Sequence, residues 1–150
     1  MSVYYLDSSA WVKRYFTEPG SAWVHGLFAK KESLVCVSLG FVEVCAALAR
    51  QFALRPTQPQ PLPQLQQAVW ADWSDILEAH LDATLLAAAA ALAWEVKLRG
   101  ADAIHLAAAL RLQQSLQDPA EVVSFVSADQ ELLAAAATKA LLPVNPAQLH

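Results

Sequence analysis

The sequence predicts an α/β fold of three layers, a central parallel sheet flanked by helices, in one domain over residues 1–150. Three observations predict it. Short apolar runs with β-branched and aromatic members alternate with longer helical patterns, as β-α-β units require. The chain is 56% hydrophobic and 16% charged, enough apolar material for one sizeable core and too little charge for disorder. Acidic residues follow the apolar runs, at the edge where an open parallel sheet gathers its functional groups.

The first run, Val3 to Leu6, reads as a buried strand, and Asp7-Ser8-Ser9 offers caps for a helix from about Ser9 to Phe16. Glu18-Pro19-Gly20-Ser21 stops that helix and starts another, Ser21 to Lys30. Leu34 to Ser38 is a second strand, and Gly40 marks a turn into a helix over Phe41–Leu54. Arg55 to Gln64 holds four prolines and three glutamines and reads as an exposed connector. Gln64 to Glu78 is an amphipathic helix carrying Trp70 and Trp73. Asp82 to Arg99 is an alanine-rich helix ended by Gly100, and Asp102 to Leu116 is the next, broken by Asp118-Pro119. Val122 to Val126 is a third strand, Gln130 to Ala140 a helix, and Leu142 to Pro146 a short edge strand that tolerates proline. No internal repeat is present.

Composition narrows the function. The longest apolar run, Leu85 to Trp94, is too short to span a bilayer and reads as a buried helix. The segment Met1 to Asp7 has no basic region and no cleavage site, so no signal peptide is expected. Cys36 and Cys45 lie in apolar context without metal spacing, which predicts buried free thiols in a reducing cytoplasm. The net charge of −4 argues against a broad basic surface for nucleic acid, though a local basic rim remains compatible with it.

Four acids stand at equivalent places. Asp7 and Asp129 each end a strand; Glu43 and Asp102 lie early in helices that begin at the same edge. Singly, each has a bland reading, because an acid in a first turn caps orphan N–H groups and favours the helix dipole. Together they cannot all stay charged unaided: one like-charge pair at about 4 Å costs roughly 4 kcal/mol at an effective dielectric of 20. Protons or a cation must sit among them. Four clustered carboxylates account for −4, the whole formal charge of the chain. Two divalent cations would offset it. An oxygen-only donor set suits Mg²⁺ or Mn²⁺ rather than Zn²⁺, and such sites hydrolyse phosphodiesters.

The motifs around these acids resemble a known family. Tyr5-Leu6-Asp7-Ser8-Ser9-Ala10-Trp11-Val12-Lys13 resembles the opening of PIN-domain proteins of the VapC toxin type, and Glu18-Pro19-Gly20-Ser21 is similar to the segment that follows it. Glu43-Val44-Cys45-Ala46-Ala47-Leu48 resembles the second motif, and Asp102-Ala103-Ile104-His105-Leu106-Ala107-Ala108-Ala109 the third and most specific. Ser127-Ala128-Asp129-Gln130-Glu131-Leu132 and Val144-Asn145-Pro146 are similar to the closing motifs. The likeness covers nearly the whole chain in order. It implies a PIN-like fold and a Mg²⁺- or Mn²⁺-dependent endoribonuclease, the toxin of a type II toxin–antitoxin pair. It also implies a cognate antitoxin that covers the acidic site, an RNA substrate and a homodimer. Carried over residue by residue, it makes Asp7, Glu43, Asp102 and Asp129 the catalytic and metal-binding quartet. Asp7 and Asp102 are then the direct ligands, with Ser8 and Ser127 hydrogen bonding beside them. Two features depart from the pattern: the overall acidity and the proline-rich connector at 56–64.

Some residues keep two readings. His105, one turn beyond Asp102, is either a general base or a structural histidine. Lys13, Arg14, Arg50 and Arg99 form either an RNA phosphate-binding rim or ordinary solvated charge. Trp70 and Trp73 are candidates for a partner surface. Three functions compete: the ribonuclease toxin, a catalytically weak or inactive scaffold that mainly binds an antitoxin, and a receiver-like domain phosphorylated on Asp7. The last wants a lysine after a late strand, and Lys139 lies too deep in the final helix.

Overall fold

A computed structural model gives the fold over residues 2–55 and 60–149, so part of the connector, 56–59, lies outside the described residues. The short apolar runs pair as five parallel strands: β1 (Val3–Leu6), β2 (Ser33–Val37), β3 (Leu77–Ala79), β4 (Ser124–Val126) and β5 (Leu142–Val144). Their order is β3-β2-β1-β4-β5, with β1 at the centre. The chain leaves β1 toward β2 on one side and returns through β4 on the other, so the switch in strand order falls between β1 and β4. There Leu6 lies opposite Val126, which sets the next pair, Asp7 and Ser127, side by side.

Seven α-helices appear among the described residues: α1 (Ser8–Trp11), α2 (Ser21–Ala29), α3 (Ser38–Leu54), α4 (Leu62–Asp75), α5 (Ala83–Val96), α6 (Gly100–Ser115) and α7 (Gln130–Thr138). Alternate strand residues feed two cores. Tyr5, Val35, Val37 and Phe125 face Leu85, Leu106 and Leu132 of α5, α6 and α7. Leu6, Leu34, Cys36 and Val126 face Trp11, Leu27, Val44 and Val69 of α1 to α4. The central strands β1, β2 and β4 are largely buried between helices, as a parallel sheet demands, while the edge strands β3 and β5 stay mostly exposed. Among the described residues no helix is long and apolar enough to cross a membrane.

The structure corrects several details. The helix expected to run to Glu78 ends at Asp75, and Leu77–Ala79 joins the sheet beside β2. Leu-Glu-Ala carries no strand pattern; backbone pairing to β2 decides it. Gly40 lies inside α3, not at a turn before it, and a side-chain carbon there would overlap Cys36 Sγ. Gly100 opens α6; α5 ends instead at Lys97, left-handed at φ 60°. The first helix spans four residues and tightens into a 3₁₀ turn over Val12–Arg14. Cys36 is buried, but Cys45 is exposed on α3.

Candidate functional site

Asp7 is the best-buried member of the acidic set, at 4% exposure. It precedes α1 yet makes no capping hydrogen bond, so the helix does not account for its charge. Its Oδ2 accepts hydrogen bonds from Ser9 Oγ and Ser127 Oγ, both at 2.7 Å. Ser8 Oγ donates more weakly to Oδ1 at 3.4 Å. The two strong donors are themselves held: Ala128 N–H donates to Ser9 Oγ and Asp129 N–H to Ser127 Oγ, both at 3.0 Å. One carboxylate oxygen is thereby fixed, and Oδ1 lies 3.5 Å from His105 Nε2.

Asp102, in the first turn of α6, also lies at a helix N-terminus without a capping bond there. Asp129 does cap: its Oδ1 accepts from the N–H groups of Glu131 and Leu132 at the start of α7. Arg99 bridges the pair, Nε donating to Asp102 Oδ2 at 3.2 Å and Nη2 to Asp129 Oδ2 at 3.3 Å. Burial raises the Asp102 carboxyl above its ordinary range; Arg99 opposes this, while the charges of Asp7 and Asp129 push the same way as burial. Three of the four acids therefore feel one another.

Glu43 reaches the set through His105. The imidazole is fully buried, with Nε2 at 2.6 Å from Glu43 Oε1 and 3.5 Å from Asp7 Oδ1. Nδ1 meets the Tyr5 hydroxyl at 2.8 Å, and that hydroxyl accepts from Val37 N–H at 3.3 Å. Burial disfavours the imidazolium, but hydrogen bonding to Glu43 and the charges of Asp7, Glu43 and Asp102 outweigh it and raise the His105 pKa. Burial likewise raises the Tyr5 hydroxyl and the Cys36 thiol, so both stay protonated.

The four acids thus share one sheet edge without closing around a point: among the described residues, no three Asp, Glu, His or Cys side chains form a ready-made metal cluster. Glu43 is drawn onto His105, and Asp102 and Asp129 onto Arg99. Of the proposed basic rim, Arg99 is at the site and 81% exposed. Arg50 is exposed on α3. Lys13 is buried and paired with Glu18, and Arg14 is spent on Asp72 beside the strand entries Leu34 and Ile76, at the opposite edge of the sheet. Trp70 is 62% exposed and lines an apolar groove of about 650 Å³ between α3 and α4, with Leu48, Leu62 and Leu65. Trp73 stacks inward on Trp11 and Phe41. Sequence reasoning missed Ser9 and Tyr5. Ser9 had a legible signal, a second hydroxyl within the Asp7-Ser8-Ser9 run; Tyr5 had none beyond strand alternation.

The chain matches the family described as PIN domain over residues 4–137. It is 35% identical over 125 residues to Ribonuclease VapC45 of Mycobacterium tuberculosis (strain CDC 1551 / Oshkosh), covering 83% of each chain. Ribonuclease VapC49 of the strain ATCC 25618 / H37Rv gives the same identity and coverage. Among solved structures, PAE2754 from Pyrobaculum aerophilum superposes with a TM-score of 0.63 at 19% identity, covering 97% of this chain and 84% of that one. A chain from the structure of FitAB bound to IR36 DNA fragment gives 0.61 at 16% identity, covering 99% and 98%. At those identities the likeness speaks for the fold.

Proposed function

Because this chain belongs to the PIN-domain family, as a protein of the VapC type, we propose that it is an endoribonuclease toxin whose acidic edge holds Mg²⁺ or Mn²⁺ and hydrolyses RNA. One observation carries the reading: Asp7, Glu43, Asp102 and Asp129 lie along one sheet edge, by the strand-order switch, with less positive charge than their own. Asp7 and Asp102 cap no helix end; among the described residues Asp102 is paired only with the exposed Arg99, and Asp7 only with hydroxyls and the shared His105. The donor chemistry fits the ion, since the set is carboxylate oxygen supported by hydroxyls, without thiolate. Arg99 already occupies the place of a cation between Asp102 and Asp129.

In this reading Asp7 and Asp102 are the direct ligands, while Glu43 and Asp129 act through water or complete a second site. When bound, the ion supplies an activated water and neutralises charge on the phosphodiester. The chain's own residues do the orienting. Ser9 and Ser127 hold Asp7 Oδ2 and leave Oδ1 turned to the site. Arg99, an exposed arm, is placed to grip an RNA phosphate once its carboxylates are otherwise neutralised. The partners are a cognate antitoxin and RNA, and the protein acts as a cytoplasmic homodimer.

The test pairs two measurements on antitoxin-free protein: Mn²⁺ titration followed by calorimetry and melting, and Mn²⁺-dependent cleavage of RNA, wild type beside Asp102→Asn. A melting shift and cleavage, both lost in the variant, are expected. One observation favours a second reading. Arg99 neutralises part of the acidic edge without any ion, as an antitoxin-binding scaffold that no longer cuts would need. Protein that binds its antitoxin but neither Mn²⁺ nor RNA would establish that alternative.

A further inference from the structure

We infer that Tyr5, His105 and Gly40 form a positioning device that holds the Glu43 carboxylate in the acidic edge. The inference rests on the reading of Glu43 as part of a cation site and names what keeps it there. A glutamate one turn inside a helix has three rotatable side-chain bonds, and its neighbours here are like-charged. Left to itself it would turn to solvent. Instead Oε1 lies 2.6 Å from His105 Nε2.

The direction of that hydrogen bond is fixed from below. Val37 N–H donates to the Tyr5 oxygen. The Tyr5 hydroxyl proton then points at its other neighbour, His105 Nδ1, 2.8 Å away. A singly protonated imidazole must in turn carry its proton on Nε2, aimed at Glu43. Tyr5 is itself locked, stacked on Phe125 at 5.4 Å with 4° between the rings and fully buried. The relay thus runs from the β2 backbone through the sheet centre to the carboxylate, and among the described residues no buried side-chain polar atom lacks a partner.

Gly40 makes the seat. It lies three residues before Glu43 and so shares its face of α3. A side-chain carbon at Gly40 would stand 3.2 Å from His105 Cε1 and overlap Cys36 Sγ. The missing side chain leaves room for Cys36 Sγ first and, beside it, for the imidazole that meets Glu43 from inside. No part of this touches a substrate; these are positioning residues, acting through Glu43.

The experiment uses the full chain. Replacing His105→Leu removes the donor; His105→Gln restores an amide N–H near the place of Nε2. Calorimetric titration with Mn²⁺ should show the dissociation constant raised about tenfold in His105→Leu and largely recovered in His105→Gln. Cleavage of single-stranded RNA should lose kcat by a similar factor with KM unchanged. Equal Mn²⁺ affinity in wild type and folded His105→Leu would overturn the inference, as would a shared fall in melting temperature without an affinity change. Should His105→Leu fail to fold, Tyr5→Phe, which removes one oxygen from the same relay, carries the same titration. Nitrogen-15 NMR of the wild-type ring gives an ion-independent readout: a proton on Nε2 is expected, and a bare Nε2 overturns the device. Wild-type protein that binds no Mn²⁺ while Nε2 is protonated would remove the cation reading and leave the positioning of Glu43 standing.

Discussion

Two charged clusters lie at opposite edges of the same sheet and are built on opposite rules. Beside the strand entries, Arg14 meets Asp72 with two hydrogen bonds, Nε at 2.6 Å and Nη2 at 3.0 Å. The Tyr15 hydroxyl donates to the same carboxylate at 2.7 Å, Trp11 Nε1–H donates to Tyr15, and the guanidinium rests 4.2 Å over the Phe28 ring. Each charge there has its partner, and the cluster ties α1 to α4. Beyond the strand exits, four carboxylates share one exposed arginine and one histidine. A structural ion pair is neutral and complete. The acidic edge, where a cation site is proposed, is left short of positive charge, and the chain accepts the repulsion.

The largest expected contrast is in activity. Asp7→Asn should cut RNA cleavage by about two orders of magnitude or more, because it removes charge at the proposed cation site. Asp72→Asn should leave kcat unchanged. A comparable loss from both would break the comparison. Stability should run the other way: Asp72→Asn leaves Arg14 half-paired in a partly buried place and should cost about 2 kcal/mol in urea unfolding. A smaller effect sharpens the point. Without added ion, Asp102→Asn should raise the melting temperature by about one or two degrees, since burial and the charges of Asp7 and Asp129 disfavour its ionised form. A marked fall would mean that Arg99 balances the edge completely. The smallest effect belongs to Asp82, a structural acid that caps α5 and pairs with Arg111. The Leu85 N–H, with Arg111, holds its carboxyl below the ordinary 3.8. Its stabilisation is therefore fully present above that pH and is lost as the pH falls further. Melting curves of wild type and Asp82→Asn should differ at neutral pH and converge in strong acid.

Much of this was legible in the residues. The strands β1 and β2, the helices around them and the parallel arrangement follow from apolar periodicity, and four acids following or opening elements at one edge follow from topology alone. Other features had no local signature. The β3 strand exists because β2 offers unpaired backbone groups, and Gly40 reads as a turn until Cys36 and His105 are seen packed against it. Cys45, apolar in context, points outward because Val44 and Leu48 take the buried face of α3.

What the sequence determined by itself is the inventory: apolar periods that make a parallel sheet, and carboxylates at the ends of its elements. Local chemistry suffices for that, since strand and helix patterns depend on neighbours two to four positions apart. What only the tertiary structure decided is how those carboxylates are held: Asp7 by Ser9 and Ser127, Glu43 by His105 and Tyr5, Asp102 and Asp129 by Arg99. Three of those holds, to Asp7, Glu43 and Asp129, reach across 30 or more residues, and hydrogen bonds of a few ångströms depend on where packing sets each side chain, which no spacing along the chain encodes.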